Sequence, residues 1–364
     1  MNFGLKRPAC FTRSPTTPGF RCGTRTDREA CPMTRWLIPI LSFVLPALAF
    51  AGGSNYGVTP GAREPSGKIT EWPLPTQRFA RDPAVAPDGS IYISVMSANK
   101  IARFDPASQT FSEWELPIDT SPHGVMPDRE GRVWFAGNGN GSLGLLDPAS
   151  GKVSLFKTPS GGGGPHTLVL GDNGDIWFTG QSGNYVARFE RTPDGKTGKL
   201  TEYKMPGSPY GLAIDKQGNI WVCRYSADKL GKLDPKTGRI TELSTGAGSR
   251  PRRIAAAPDG TLWVTLYGKG TLAHIDPISG KVLREYALPA GANAGPYAVN
   301  VDAAGKVWAN EIESDSVVLL DPAAGTMRVF NLPSKNSGIR KAVIDAQGRY
   351  WYVGSHNGRL GVIE

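Results

Sequence analysis

Residues 164–179 read GPHTLVLGDNGDIWFT, and this stretch decides the fold. It runs small residue, Pro, ring side chain, apolar run, turn ending in Gly, then hydrophobic-Trp-hydrophobic. Variants of it recur to the end of the chain. The turn glycines stand at 89, 131, 174, 218, 260, 305 and 348, spaced by 42, 43, 44, 42, 45 and 43 residues. Three residues after each comes an aromatic: Tyr92, Trp134, Trp177, Trp221, Trp263, Trp308 and Trp351. A period of this size, divided into four short apolar runs, is that of propeller blades. The fold class is therefore all-β, a seven-bladed β-propeller with four-stranded blades.

Blade 4 shows the four strands in turn: YGLAID, NIWVCR, KLGKLD and RITELS, with a PKTG turn before the last. The Asp-Pro-x-x-Gly turn recurs at 147–151, 234–238, 276–280 and 321–325. Pro presets the second turn position and Gly supplies the positive φ near its end. Blade 3 carries a longer excursion, ERTPDGKTGK. The chain stops after a third strand, RLGVIE, whereas residues 68–75, KITEWPLP, match the fourth strands FSEWELP, LTEYKMP and MRVFNLP. The N-terminal strand is thus expected to complete the last blade and remove an exposed edge.

The first 51 residues read as targeting sequence. Residues 37–48, LIPILSFVLPAL, follow Met33-Thr34-Arg35 and precede an Ala49-Phe50-Ala51 cleavage pattern. A span needs about 20 apolar residues, so no membrane span is expected. The organisation expected is a mis-start plus signal peptide over 1–51 (signal 33–51), a flexible lead over 52–67, and one propeller over 68–364. Residues 1–51 hold seven of the 41 basic and two of the 32 acidic residues, which leaves 34 against 30 and a net charge of +4. That gives no case for nucleic acid or membrane binding. Cys223 remains as the single cysteine, so no disulfide is expected. Localisation reads as periplasmic or secreted, and the protein as a monomer.

The innermost strands of a propeller line a central channel, so one repeated position forms a ring. Eight residues before the turn glycines stand Arg81, His123, His166, Tyr210, Arg252, Tyr297 and Arg340. The position is polar or amphipathic throughout and lacks a carboxylate. Arg presents a fork to carboxylates and oxyanions, so one reading is a cationic funnel for a small anionic or ester-containing ligand. The other is a set of solvated loop side chains. Arg224 and Glu311, at the ends of second strands, are further candidates, either for substrate binding or for a structural ion pair. His274 and His356 read as structural or exposed. Gly139–Gly144 matches a dinucleotide fingerprint but lies between strands, and residues 161–164 read as a connection rather than a phosphate cradle.

The repeat, with its P-H/Y-G, D-G-x-I-W-F-T and I-T-E-Y-x-L-P elements, resembles the virginiamycin B lyase (streptogramin lyase) family over residues 68–364. The resemblance implies a carbon–oxygen lyase that opens an ester or lactone by β-elimination, with Mg²⁺ at the channel mouth. It further implies a His-His-Tyr set on successive blades, here His123, His166 and Tyr210. His166 would be the base, and the other two would orient the substrate. The family's Mg²⁺ carboxylates fall on Gly164 and Gln181, so no metal site is carried over. Arg81, Arg252 or Arg340 would then replace the metal, with Tyr297 completing the ring. The alternative is a non-catalytic periplasmic propeller that binds an anionic ligand or a protein partner. A calcium-dependent gluconolactonase-type hydrolase would need six blades and an acidic site, which the sequence does not offer.

Overall fold

Each repeat folds into one antiparallel four-stranded sheet, and the computed structural model describes residues 58–364, with seven such sheets among them. The expected signal peptide and the rest of residues 1–57 lie outside the described residues. In blade 3 the strands are Pro165–Leu170, Ile176–Gly180, Tyr185–Arg191 and Gly198–Lys204. Burial falls outward across the blade. The first two strands are almost wholly buried and the fourth only partly, as close packing around an axis requires.

The chain ends meet as the sequence predicts. Ile69–Pro73 pairs antiparallel with Arg359–Ile363, with Ile69 opposite Ile363, and becomes the fourth strand of blade 7. Part of the lead is tied down rather than flexible. Val58 is buried, the Gly61 amide donates to Asp345 O at 2.8 Å, and Arg328 Nη1 donates to Pro65 O at 2.7 Å.

The repeated Trp is core: Trp134, Trp221, Trp263, Trp308 and Trp351 are fully buried between blades. A buried indole N–H needs an acceptor. In three blades the aspartate that opens the preceding turn supplies it: Asp128, Asp215 and Asp345 accept from Trp134, Trp221 and Trp351 at 3.1, 2.8 and 2.8 Å. The blade 3 excursion leans on blade 2, where Arg132 Nη1 donates to Asp194 O at 3.3 Å. The glycine run at 161–164 wraps a ring: Tyr185 Oη donates to Gly162 O, and a Cβ on Gly163 would come within 2.6 Å of that ring.

One irregularity recurs in all seven blades and builds the channel. The pairing of first and second strands slips by one residue, so that two consecutive residues of the first oppose one of the second. In blade 3 these are His166 and Thr167 against Thr179. Such a bulge re-aims side chains that strict alternation would send to opposite faces. Consecutive residues therefore both reach the axis, and the channel acquires two layers where period-two reading allows one.

Candidate functional site

The bulge is held by the residue opposite it. The Thr179 hydroxyl accepts from the Thr167 amide at 3.3 Å and donates at 2.7 Å to the carbonyl of Tyr210 on the next blade. Thr265 repeats this between Arg253 and Tyr297, and Asn310 between Ala298 and Ile339. Ser94 does the same between Asp82 and His123. One short polar side chain thus fixes a bulge and joins two blades. In blades 2, 4 and 7 the opposing residue is apolar, and in blades 2 and 4 the second bulge residue is Gly. There a Cβ on Gly124 would lie 2.5 Å from His166 O.

The first bulge residue of each blade forms the mouth layer, and the structure brings all seven expected positions together. Arg81 Nη2 hydrogen-bonds His123 Nε2. The rings of His123 and His166 lie 3.6 Å apart, and those of His166 and Tyr210 4.0 Å apart. The Tyr210 and Tyr297 hydroxyls hydrogen-bond each other, and Arg340 Nη1 donates to Tyr297 Oη at 3.3 Å. The Arg252 guanidinium sits among four phenol rings, 3.8 Å from the centroid of Tyr225 and 4.9–5.0 Å from those of Tyr210, Tyr267 and Tyr297. Arg81 and Arg340 both lie over Phe79, at 5.2 and 5.5 Å. These contacts close a ring around the axis, so the side chains are not solvated loop residues. His123 and His166 are 2 and 1 % exposed.

The second bulge residue forms an axis layer that the sequence reading missed. Arg253 reaches across the channel and donates from Nη2 to Asp82 Oδ1 at 3.0 Å. Its Nη1 donates to Thr167 Oγ1 at 2.6 Å, and its Nε to Arg340 O at 3.2 Å. Lys341 Nζ lies 3.8 Å from Asp82 Oδ2, and His123 Nδ1 lies 3.9 Å from the same oxygen. Asp82, Arg253 and Lys341 are all buried. The only trace of it in the sequence is a second charged residue directly after the ring arginine in three blades, Asp82, Arg253 and Lys341.

Two expected residues do not join the site. Arg224 donates to Pro206 O and forms an ion pair with Glu242 of its own blade. Glu311 accepts from the Ala290 amide at 2.7 Å and from Ser316 Oγ at 2.6 Å. Both oppose the first residue of the inner strand and turn toward their own blade's loops. The next residue along, Tyr225 in blade 4 and Tyr267 in blade 5, faces the mouth instead. His356 is exposed, as expected, but it also reaches Arg340, with Nη2 and Nε2 3.3 Å apart.

The ring's electrostatics follow from burial beside fixed cations. Burial pushes His123 well below the ordinary imidazole range, and Arg81, His166, Arg253 and Lys341 add to the effect. His166 is lowered in the same way by burial, then by Arg253, Arg81 and Arg252. Both imidazoles are therefore neutral at pH 7. Burial lifts the Tyr210 phenol to about 12, with Tyr297 adding to it. At Tyr297 burial also acts upward, but Arg252, Arg81 and Arg340 outweigh it and hold the phenol below its usual value. Lys341 is lowered to about 7 by burial, against the attraction of Asp82.

The Mg²⁺ implied by the resemblance does not fit these residues. Gly164 and Gln181 do adjoin, with the Gln181 amide donating to Gly164 O at 3.1 Å, but neither offers a carboxylate. A side chain at 164 would start 2.9 Å from Ser182 Oγ with φ at +60°. Among the described residues no group of three or more His, Cys, Asp or Glu side chains could hold a metal ion. Mg²⁺ prefers carboxylate and water oxygens, and this mouth is cationic.

Comparison with known proteins places the chain among relatives. It is 31% identical over 112 residues to a virginiamycin B lyase of Nocardia farcinica (strain IFM 10152), a match covering 31% of this chain and 37% of that relative's length. A streptogramin B lyase structure aligns over 82% of this chain and 97% of its own, with a TM-score of 0.74 at 23% identity. A catalytically inactive His→Ala virginiamycin B lyase from Staphylococcus aureus, solved with quinupristin, aligns over 81% and 98%, with a TM-score of 0.73 at 24% identity. At such identity these structures speak for the fold. The family model described as "Virginiamycin B lyase family" matches residues 59–206 and 193–364, nearly all of the described chain. The protein therefore belongs to the virginiamycin B lyase family.

Proposed function

We propose that the protein is an exported carbon–oxygen lyase that opens an ester or lactone by β-elimination, with His166 as base and guanidinium in the place of a metal. The observation that carries this reading is the setting of His166. Its Nδ1 lies 2.9 Å from Thr167 Oγ1, a hydroxyl that Arg253 also holds. With the proton held on Nδ1 and donated to Thr167 Oγ1, Nε2 keeps its lone pair at neutral pH. His166 removes the hydrogen from the carbon α to the substrate carbonyl. The C–H electron pair becomes a C=C bond, and the neighbouring C–O bond breaks, its pair leaving with the carboxylate. Negative charge builds on the carbonyl oxygen during this step, and Arg252, packed over Tyr210 beside His166, stabilises it. His123 and Tyr210 flank the base and fix its plane.

The test is product analysis in ¹⁸O-labelled water with a panel of esters and lactones. Elimination gives an unsaturated product without ¹⁸O, unaffected by EDTA, and His166→Ala lowers turnover by about 10²–10⁴-fold. Incorporation of ¹⁸O, or full turnover by His166→Ala, would sink the assignment. A second reading, ligand binding without chemistry, is favoured by the near-complete burial of both imidazoles. It predicts that ligands raise the melting temperature and leave no product.

A further inference from the structure

We propose that the mouth layer is a clamp for an extended organic acid bearing two or more carboxylates, with Arg81, Arg252 and Arg340 as its counter-charges. This rests on the reading of the ring as the ligand site, and not on the reaction carried out there.

Several other buried or half-buried arginines are paired, Arg359 being an exception among the described residues. Arg132 meets Asp128, Arg188 meets Asp175, Arg253 meets Asp82 and Arg349 meets Asp345. None of the three mouth arginines makes an ion pair among the described residues. Their hydrogen-bonding partners are neutral: a His123 nitrogen for Arg81, and Tyr297 Oη with a His356 nitrogen for Arg340. Arg252 has only ring faces around it. The Nε of all three is buried without an acceptor, although a buried donor of this kind normally has one. A guanidinium stays charged at any working pH. Three guanidiniums without an ion-pair partner converge on one mouth. The nearest acids the contacts reveal, Glu313 on Tyr267 and Asp315 beside His356, stand at the rim. The three cations call for anionic acceptors from outside the chain.

The spacing selects the shape of that anion. Arg252 and Arg340 share Tyr297, and Arg340 and Arg81 share Phe79, so cations and rings alternate as Arg252, Tyr297, Arg340, Phe79, Arg81. The negative face of each shared ring offsets part of the repulsion between neighbouring cations. With three forks distributed over two shared rings, a chain that brings a carboxylate to each is favoured over one compact anion such as sulfate. The lowered phenol of Tyr297 is the nearest the ring comes to an anion of its own, and it can offset at most one charge. A chain with two or three carboxylates matches the remaining charge and the separation.

Calorimetric titration of the full chain with acetate, succinate, tricarballylate and sulfate, at a fixed ionic strength of about 150 mM, tests the clamp. Affinity is expected to rise about tenfold from acetate to succinate and again to tricarballylate, with sulfate near acetate, as added charge-assisted hydrogen bonds require. Arg252→Gln and Arg340→Gln should each weaken tricarballylate about tenfold or more, whereas Arg284→Gln, at an exposed position on the outer strand of blade 5, should not. If a Gln variant does not fold, Arg252→Lys, which keeps the charge but loses the fork, should still bind more weakly than the parent. Equal affinities along the series, sulfate matching tricarballylate, or undiminished binding by a folded Arg252 variant would overturn the clamp. Tricarballylate binding with no ester turned over removes the lyase reading and leaves the clamp. Turnover of uncharged esters with no tricarballylate binding does the reverse.

Discussion

Arg252 and Arg253 are neighbours in one bulge and live in opposite conditions. Arg253 spends its guanidinium inside the protein, on Asp82, Thr167 and the Arg340 carbonyl. Arg252 finds only aromatic faces. The same contrast holds for the layers they belong to. The axis layer contains a counter-charge of its own, with Asp82 facing Arg253 and Lys341, and it holds blades 1, 5 and 7 together across the channel. The mouth layer has cations and no carboxylate. One residue of displacement separates cations that meet a carboxylate inside the fold from cations that meet none.

The largest expected effect comes from breaking the closed layer. Asp82→Asn keeps the shape but removes the carboxylate that faces the buried Arg253 and Lys341. Removing one partner of such a set costs about 3–5 kcal/mol. For a chain of this size that is a fall in melting temperature on the order of 10 °C. A melting temperature within a degree or two of the parent would mean that the network does not hold the blades.

Acid should expose the same layers. Lys341, at about 7, is lowered when folded, so the unfolded chain binds that proton first and stability falls as pH drops from about 10.5 toward 7. Below 6.5 the two lowered imidazoles continue the loss, because protonation again favours the unfolded state. Denaturant midpoints measured between pH 8 and pH 5 should decline, and a His123→Gln/His166→Gln double variant should flatten the part below 6.5. An unchanged slope in that variant would contradict the assignment of the acid limb to these rings.

A smaller loss, about 1 kcal/mol, is expected from Thr179→Val, which keeps the bulk but drops the hydrogen bond to Tyr210 O and the acceptor for the Thr167 amide. Urea midpoints at neutral pH measure it. No loss would show that the bulge holds itself without the link to the next blade.

How far the sequence could show these layers depends on the bulge. The turn glycines and the Trp after them fix the register of each blade, so counting back eight residues found Arg81, His123, His166, Tyr210, Arg252, Tyr297 and Arg340 without structural help. The closure by residues 69–73 was equally legible, because a strand with no blade faced a blade with no fourth strand. The axis layer was not. Strand alternation sends the neighbour of a channel residue to the opposite face, and nothing local in Arg81-Asp82 or Arg252-Arg253 announces that both point inward. The same arithmetic misdirected attention to Arg224 and Glu311, when the mouth-facing residues of those loops lie one step later, as at Tyr225. Phe79 and His356 came from loops, where no period applies.

The smallest expected effect sharpens the comparison most. Arg252→Gln removes a guanidinium from its tyrosine cage, and the lost cation–π contacts are worth about 1 kcal/mol. It also removes one of three like charges that make no ion pair among the described residues, which works in the opposite direction. The two terms are of similar size, so the melting temperature of the ligand-free protein should move by no more than a few degrees in either direction. Arg253→Gln, one residue away, strands Asp82 beside a lysine that is half neutral at pH 7, and should lose several times as much. If the neighbouring variants proved equally destabilising, Arg252 would be a structural cation like Arg253. Its unmet hydrogen-bonding capacity would then say nothing about a ligand. A large gap between them means that the protein carries the charge of Arg252 for use outside its own fold.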